Sequence, residues 1–177
     1  RLPSWRAALG PPAVLRVRDR VVLCPRAIAA ARRLSACSLP PRRPGLVYRF
    51  DSVVVIPLRR PEALNALHAE LTDEIQAVIR QHEANPRVIG FVITGYGSKA
   101  FCAGADIGRF PSLLGDVKAA AQYARDCSRL LVHLDHARKP VVAALNGMAL
   151  GGGFELAMRC HALVADRSAW MQLPEVT

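Results

Sequence analysis

Two short and almost entirely apolar segments constrain what this chain can fold into more than any other feature of its sequence. They are residues 88–94 and 141–145, and glycine-containing turns follow both of them. A short apolar run bounded by turn residues predicts a buried strand. Residues 65–84 and 115–137, which precede the two runs, carry apolar side chains at helical spacing and predict two helices. Since strands alternate with helices, the sequence predicts an α/β fold.

The flanking residues predict further elements of the same fold. Residues 46–50 and 53–58 read as two strands about an Asp51-Ser52 turn, which is a hairpin signal. Asn65 stands where the cap of the first helix is expected. The remaining predicted elements are a loop over 95–106, a glycine-rich turn over 147–153, a short helix over 154–160 and short strands over 162–165 and 169–172.

The beginning of the chain differs from the rest in charge. The formal net charge is +10, but residues 1–43 hold ten arginines and one acid, whereas residues 44–177 hold fourteen basic and thirteen acidic residues. We expect residues 1–45 to be an Arg/Pro-rich, disordered leader or linker and residues 46–177 to form one folded domain. The nearly neutral domain argues against nucleic-acid binding, because that function needs a basic face on the folded part.

Composition also argues against two other classes of protein. No apolar run reaches the roughly eighteen residues that a membrane-spanning helix needs, so we expect a soluble protein without a membrane partner. The cysteines are five in number and form no C-x-x-C pair. This argues against a disulfide framework or a zinc site and favours a reducing compartment.

Sequence signals for other chemistries lack the neighbouring residues or elements that those chemistries need. Gly95, Gly97 and Ala100 satisfy the G-x-G-x-x-A dinucleotide fingerprint, but further small residues follow where a helix must open. His133 and His136 lie three residues apart on a predicted helix without a third metal ligand nearby. The chain lacks the G-x-S-x-G elbow of serine hydrolases. The other histidines have no evident partner in the sequence, and they are His68, His82 and His161.

Two glycine-rich turns are candidates for a binding site. The first covers residues 101–107, and the second covers residues 146–157 and leads straight into a helix. Small residues let a ligand approach the backbone, and the free N–H groups at a helix start suit an oxyanion. Glu155 lies in the first turn of that helix, and Glu175 follows twenty residues later. Two carboxylates near one anion site suit acid–base chemistry on a polarised carbonyl, whereas the alternative is that the turns only pack against neighbours.

Five segments resemble, in order and spacing, the enoyl-CoA hydratase/isomerase superfamily, also called the crotonase superfamily. They are Arg60-Pro61-Glu62-Ala63-Leu64-Asn65-Ala66-Leu67, residues 101–107, residues 139–147, Gly151-Gly152-Gly153-Phe154-Glu155-Leu156-Ala157 and Gln172-Leu173-Pro174-Glu175. The resemblance covers about residues 46–177, and five motifs in register are far more specific than one. It implies a crotonase-like spiral of strand-strand-helix units. The family domain runs well past Thr177, so we expect the fold to be truncated at its C-terminal end.

The resemblance also implies which residues form the site. The backbone N–H groups of Ala105 and Gly152 match the oxyanion hole of the family, and Glu155 and Glu175 match the two catalytic acids of its hydratases. The implied substrate-binding residues are Ala63, Leu64, Ala103, Asp106, Ile107, Gly151 and Pro174. No metal or redox cofactor is implied, since coenzyme A is part of the substrate.

The implied function is hydration of a trans-2-enoyl-CoA to a 3-hydroxyacyl-CoA in fatty-acid β-oxidation. Two alternatives stay open at this point, namely an enoyl-CoA double-bond isomerase and a non-catalytic binding protein of the same fold. The resemblance implies a homotrimer or hexamer, and a fused or partner 3-hydroxyacyl-CoA dehydrogenase fits the same chemistry. We expect a cytoplasmic location, with the mitochondrial matrix as the alternative because the Arg-rich leader resembles a transit peptide.

Overall fold

The fold is given by a computed structural model that describes residues 13–16, 48–50 and 52–176. The strands are β1 (Ala13–Arg16), β2 (Tyr48–Phe50), β3 (Val53–Leu58), β4 (Gly90–Gly95), β5 (Ala100–Cys102), β6 (Val141–Leu145), β7 (Met148–Leu150), β8 (Ala162–Ala165) and β9 (Met171–Gln172). The helices are α1 (Ala69–Glu83), α2 (Val117–Asp135) and α3 (Gly152–Arg159), with short 3-10 helices at Pro61–Ala63, Ile107–Leu113 and Pro174–Val176.

The described strands form two sheets. A six-stranded sheet has the order β1-β8-β6-β4-β3-β2, and a three-stranded sheet has the order β5-β7-β9. Strands β3, β4, β6 and β8 run parallel, whereas β1 and β2 pair antiparallel at the two edges. After the β2–β3 hairpin, each pair of strands gives its first member to the large sheet and its second to the small sheet. This repeat confirms the predicted α/β fold of strand-strand-helix units.

The core is formed by the large sheet and the helices that pack on it. Every residue of β3, β4 and β6 is buried, as expected for parallel strands that are covered on both faces. Helix α1 contributes Leu71, Ile75 and Ile79 to this core. Helix α2 buries only Leu130 and Leu134 fully, so its N-terminal half lies on the surface beside the 3-10 helix that precedes it.

The sequence predictions are confirmed for most elements, with three differences. The loop predicted over 95–106 contains β5, and the turn predicted over 147–153 contains β7. The prediction that Asn65 caps α1 is wrong. The helix begins at Ala69, and the Nδ1 atom of His68 accepts a 2.9 Å hydrogen bond from the N–H of Leu71. A histidine nitrogen thereby satisfies one of the free donors at the helix start.

Within residues 1–45, the structure describes only strand β1. Strand β1 pairs antiparallel with β8, with Ala13 opposite Ala165 and Arg16 opposite Ala162. The other residues of the segment 1–45 lie outside the described residues, so its assignment as a disordered leader stays a prediction. Among the helices that are described, none is both long and apolar enough to cross a bilayer.

Candidate active site

The small sheet brings three separate segments of the chain to one edge. Strands β5, β7 and β9 are parallel neighbours, and the carboxyl ends of parallel strands meet at the same edge of a sheet. The loop 103–107 follows β5, helix α3 follows β7, and the 3-10 helix Pro174–Val176 follows β9. The edge therefore gathers Ala105, Gly152 and Glu175, which the sequence analysis singled out from three distant motifs.

The loop after β5 is held by backbone hydrogen bonds to the segment before α1. The N–H of Ala103 donates to the carbonyl of Leu64 at 3.0 Å. The residues on both sides of Ala105 bond to Leu67, since the carbonyl of Gly104 accepts from it at 2.7 Å and the N–H of Asp106 donates to it at 2.9 Å. In such a parallel bridge the intervening residue points its own N–H away from the partner. The N–H of Ala105 is thus left for another acceptor.

The loop after β5 and the start of α3 approach each other closely. A Cβ atom at Gly104 would lie 2.9 Å from the carbonyl oxygen of Leu150 and 3.4 Å from the nitrogen of Gly152. A Cβ atom at Gly152 would lie 3.7 Å from the nitrogen of Ala105. The first N–H groups of a helix have no acceptor within the helix. Two backbone donors, from Ala105 and Gly152, therefore lie side by side in half-buried positions and can bind one oxyanion.

Glycine is required on either side of Gly152 more strictly than at Gly152 itself. Gly151 has a φ of +45°, in the left-handed region that side chains disfavour. A Cβ atom at Gly153 would overlap the carbonyl of Cys102 in β5. Gly152 has neither restriction, because a Cβ atom there would meet nothing closer than 3.7 Å. The backbone geometry that favours glycine is therefore needed at Gly151 and not at Gly152.

The two glutamates predicted to act in catalysis lie next to the same turn. Glu155 lies in the first turn of α3, where its N–H donates to the carbonyl of Gly151 at 2.9 Å. The carboxylate of Glu175 covers Gly151, since a Cβ atom on that glycine would lie 3.1 Å from its Cδ. Strand pairing fixes this approach, because the N–H of Gly151 donates to the carbonyl of Gln172 at 3.0 Å. Both residues are exposed to solvent, and their catalytic role stays a prediction.

The predicted substrate-binding residues lie around these donors. Ala63 and Leu64 face the loop that holds Ala103, and Leu64 has a φ of 50° that turns its side chain outward, 36% exposed. Ile107 begins the 3-10 helix beyond the loop and is 72% exposed. Pro174 begins the 3-10 helix that carries Glu175. The contact of these residues with substrate stays a prediction.

Asp106 has a structural environment that its sequence motif does not reveal. Its carboxylate accepts a 2.8 Å hydrogen bond from Arg60 Nη1 and a 3.1 Å bond from the N–H of Gly108. The second bond caps the 3-10 helix Ile107–Leu113. The Arg60 guanidinium beside it holds the pKa of the Asp106 carboxyl below its usual value, and the hydrogen bond from Gly108 acts in the same direction.

Two asparagines, Asn65 and Asn146, hold the loop between β4 and β5, a role that the sequence does not predict. Asn65 is fully buried with a φ of 58°, and its Nδ2 donates to the carbonyls of Tyr96 at 3.0 Å and Ala100 at 2.8 Å. Asn146 Nδ2 donates to the carbonyl of Gly95 at 2.9 Å, and its Oδ1 accepts from the N–H of the same residue at 3.0 Å. The available signal was residue type, because asparagine tolerates the left-handed region and bonds to nearby backbone.

Other candidate chemistries are absent from the described part of the chain. Burial raises the pKa of the Cys102 and Cys160 thiols to about 12, which leaves them protonated and unreactive at neutral pH. Among the described residues, no group of three or more histidine, cysteine or acidic side chains could hold a metal ion. His161 does have a partner, since its Nδ1 accepts from the N–H of Val141 at 3.1 Å.

The segment that resembles the dinucleotide fingerprint does not open a helix. Residues 95–100 cross from β4 to β5, and the next element is a strand of the small sheet. Pyrophosphate binding by that fingerprint needs the N-terminus of a helix directly behind the glycines. Residues 95–100 therefore lack the helix that the fingerprint needs.

Comparisons with known proteins identify the family of the chain. The family model described as "Enoyl-CoA hydratase/isomerase" matches residues 49–177. A mitochondrial enoyl-CoA hydratase of Pongo abelii is 43% identical over 131 residues, which cover 71% of this chain and 42% of that protein. A short-chain-enoyl-CoA hydratase of Clostridium acetobutylicum is 37% identical over 74% of this chain and 49% of its own length.

Solved structures give the same result for the fold. The enoyl-CoA hydratase of Bacillus anthracis superposes with a TM-score of 0.66 at 34% identity, over 74% of this chain and 50% of that one. An enoyl-CoA hydratase from Polaromonas superposes with a TM-score of 0.68 at 30% identity, over 71% of this chain and 49% of that one. The chain spans about half the length of the curated relatives it matches.

Proposed function

Because the chain belongs to the enoyl-CoA hydratase/isomerase family, we propose that the protein adds water to the double bond of a trans-2-enoyl-CoA and so forms a 3-hydroxyacyl-CoA. One observation carries the proposal. The paired N–H groups of Ala105 and Gly152 lie at a turn next to two glutamates, Glu155 in the first turn of α3 and Glu175, whose carboxylate covers Gly151. The names of the relatives support the same reaction, since several are called enoyl-CoA hydratases.

The two N–H groups would bind the thioester oxygen of the substrate. When water adds to the β-carbon, negative charge builds on that oxygen as an enolate forms. Donors that already point at the developing charge lower the barrier, and each is worth about a hundred- to a thousandfold in rate. Ala105 is fixed by the bridge to Leu67, and Gly152 is fixed as the first residue of α3. Neither donor therefore has to reorganise during the reaction.

Glu155 and Glu175 would manage the protons of the reaction. The oxygen of the water bonds to the β-carbon, one of its protons passes to a carboxylate, and a proton is delivered to the α-carbon as the enolate collapses. Both residues are exposed, and together their carboxylates would hold the water and exchange protons with it. Coenzyme A enters and leaves as part of substrate and product, so the proposal needs no resident cofactor.

Conservative changes of the two carboxylates test the proposal. In the full-length protein we expect Glu155→Gln and Glu175→Gln each to lower the hydration rate at least about a hundredfold, because the amide keeps the shape but cannot transfer a proton. Binding of the enoyl-CoA, measured by calorimetry, should stay within about threefold. Hydration is followed by the loss of conjugated enoyl absorbance, and Glu74→Gln, an exposed acid on α1, is the matched control.

The outcome also separates hydration from the two alternatives. An isomerase would move the double bond of a 3-enoyl-CoA and would depend on one carboxylate only. A non-catalytic binding protein would bind the ester and turn over neither substrate. Hydration within a few-fold of the parent in either glutamine variant would contradict the proposed mechanism.

A further inference from the structure

The turn before α1 is closed by the backbone and side chain of two residues, Arg60 and Asn65. The carbonyl of Arg60 accepts hydrogen bonds from the N–H groups of Ala63 at 3.0 Å and Asn65 at 2.7 Å. Its own N–H donates to Asn65 Oδ1 at 3.1 Å. The closed turn contains Ala63 and Leu64, which are predicted to contact the substrate, and the Nε atom of Arg60 lies 3.8 Å from the carboxylate of Glu62 in the same turn.

The guanidinium of Arg60 joins this turn to the loop that carries Ala105. Its Nη1 donates to Asp106 Oδ2 at 2.8 Å and to the carbonyl of Ala66 at 3.4 Å. The side chains of Arg60 and Asp106 are only 23% and 18% exposed. Charged hydrogen bonds that are partly shielded from water are stronger than fully exposed ones. The contact therefore sets the spacing between two segments that are 46 residues apart in sequence.

Asp106, directly after Ala105, is held through every polar group that it has. Its N–H donates to the carbonyl of Leu67 at 2.9 Å, and its carbonyl accepts from the hydroxyl of Tyr123 at 3.2 Å. Its carboxylate accepts from Arg60 and from the N–H of Gly108. The strongest of these contacts, the ion pair, comes from outside the loop. A displacement of Asp106 would move the Ala105–Asp106 peptide and, through the Cα atom of Ala105, would change the direction of the Ala105 N–H.

We propose that Arg60 is a positioning residue, which sets the direction of the Ala105 N–H through its ion pair with Asp106. The inference rests on the proposed function, since the position of that N–H matters for a reaction that places charge on an oxyanion. Arg60 does not touch the reacting atoms. Small misplacements of groups that contact a transition state cost up to about a hundredfold in rate.

The test compares Arg60→Gln, Arg60→Lys and a control variant in the full-length protein. The control is Arg129→Gln, because Arg129 also joins two segments through an ion pair, with Asp73 at 3.1 Å, but on the exposed surface between α1 and α2. We expect Arg60→Gln to lower kcat for enoyl-CoA hydration about ten- to a hundredfold and to change KM less than about threefold. Arg60→Lys should recover kcat to within about fivefold of the parent, because the ammonium keeps the charge and a donor.

Hydrogen exchange gives a readout that does not depend on turnover. Loss of the ion pair should speed exchange of the Asp106 amide at least about tenfold in Arg60→Gln, while Arg60→Lys and Arg129→Gln stay near the parent. Three results would overturn the inference. They are parent-like kcat and exchange in Arg60→Gln, a rise in KM without a fall in kcat, and a lysine variant that is no better than the glutamine variant. If the parent protein hydrates no enoyl-CoA, the proposed function fails, and unchanged exchange would then overturn the positioning role separately.

Discussion

The two turns that supply the paired N–H groups are held in different ways. The loop around Ala105 is held by backbone hydrogen bonds to Leu64 and Leu67 and by the ion pair of Arg60 with Asp106. The turn around Gly152 is held by strand pairing and by close contacts that leave no room for side chains on its neighbours Gly151 and Gly153. The first turn should therefore be sensitive to charge and the second to volume. Two different physical means thus place equivalent donors beside each other.

The largest expected effect is that of Gly152→Ala on the reaction. The added Cβ would lie 3.7 Å from the nitrogen of Ala105, in the space that the substrate oxygen needs. Hydration should fall about a hundred- to a thousandfold, because the oxygen loses its donors. Stability should stay within about 1 kcal/mol, since no backbone clash results and alanine favours the helix. Turnover and the free energy of unfolding in urea, measured together, test this, and a fully active variant would remove Gly152 from the mechanism.

An intermediate effect is expected one residue later, at Gly153. A Cβ there would overlap the carbonyl of Cys102, so either α3 or β5 has to shift. Overpacking of this kind costs about 1–3 kcal/mol. Gly153→Ala should therefore lower the free energy of unfolding by that amount, whereas Gly152→Ala, its matched control, should not. Equal stability of the two variants would refute the view that volume governs this turn.

The smallest effect is expected when low pH acts on the loop around Ala105. The pKa of Asp106 is lowered by Arg60, so the unfolded chain binds the proton at higher pH than the folded one. The stabilisation is complete above the unfolded pKa of about 3.9 and is lost as the pH falls through the lower folded pKa. We expect a loss below about 1 kcal/mol.

Comparison with Asp106→Asn isolates that loss. The free energy of unfolding of the parent should fall more steeply between about pH 5 and pH 3 than that of the asparagine variant, which has no carboxylate to protonate. Urea titrations of both proteins at several pH values give the two slopes. Parallel slopes would mean that charge does not hold this loop, and the contrast between the two turns would then disappear.

Patterns within short windows predicted most of the fold correctly. Strands β4 and β6 are apolar throughout, and the hairpin of β2 and β3 is signalled by its turn residues. Strands β5 and β7 were missed because three residues carry no periodicity, and their neighbours are small residues typical of turns. Asn65 was given the wrong role because a cap is a local function, whereas its bonds reach Tyr96 and Ala100, more than 30 residues away.

The residues of the candidate site were identified from motifs, but their relation to one another was not. By itself the sequence determined which chemical groups are present, because glycine, glutamate and apolar periodicity are properties of the chain alone. Only the tertiary structure decided that Glu175 covers Gly151, that Ala105 faces Gly152 and that Arg60 reaches Asp106. The contacts of Glu175 with Gly151 and of Ala105 with Gly152 depend on the parallel pairing of β5, β7 and β9. Such pairing is set by packing between distant segments, which no short window of sequence contains.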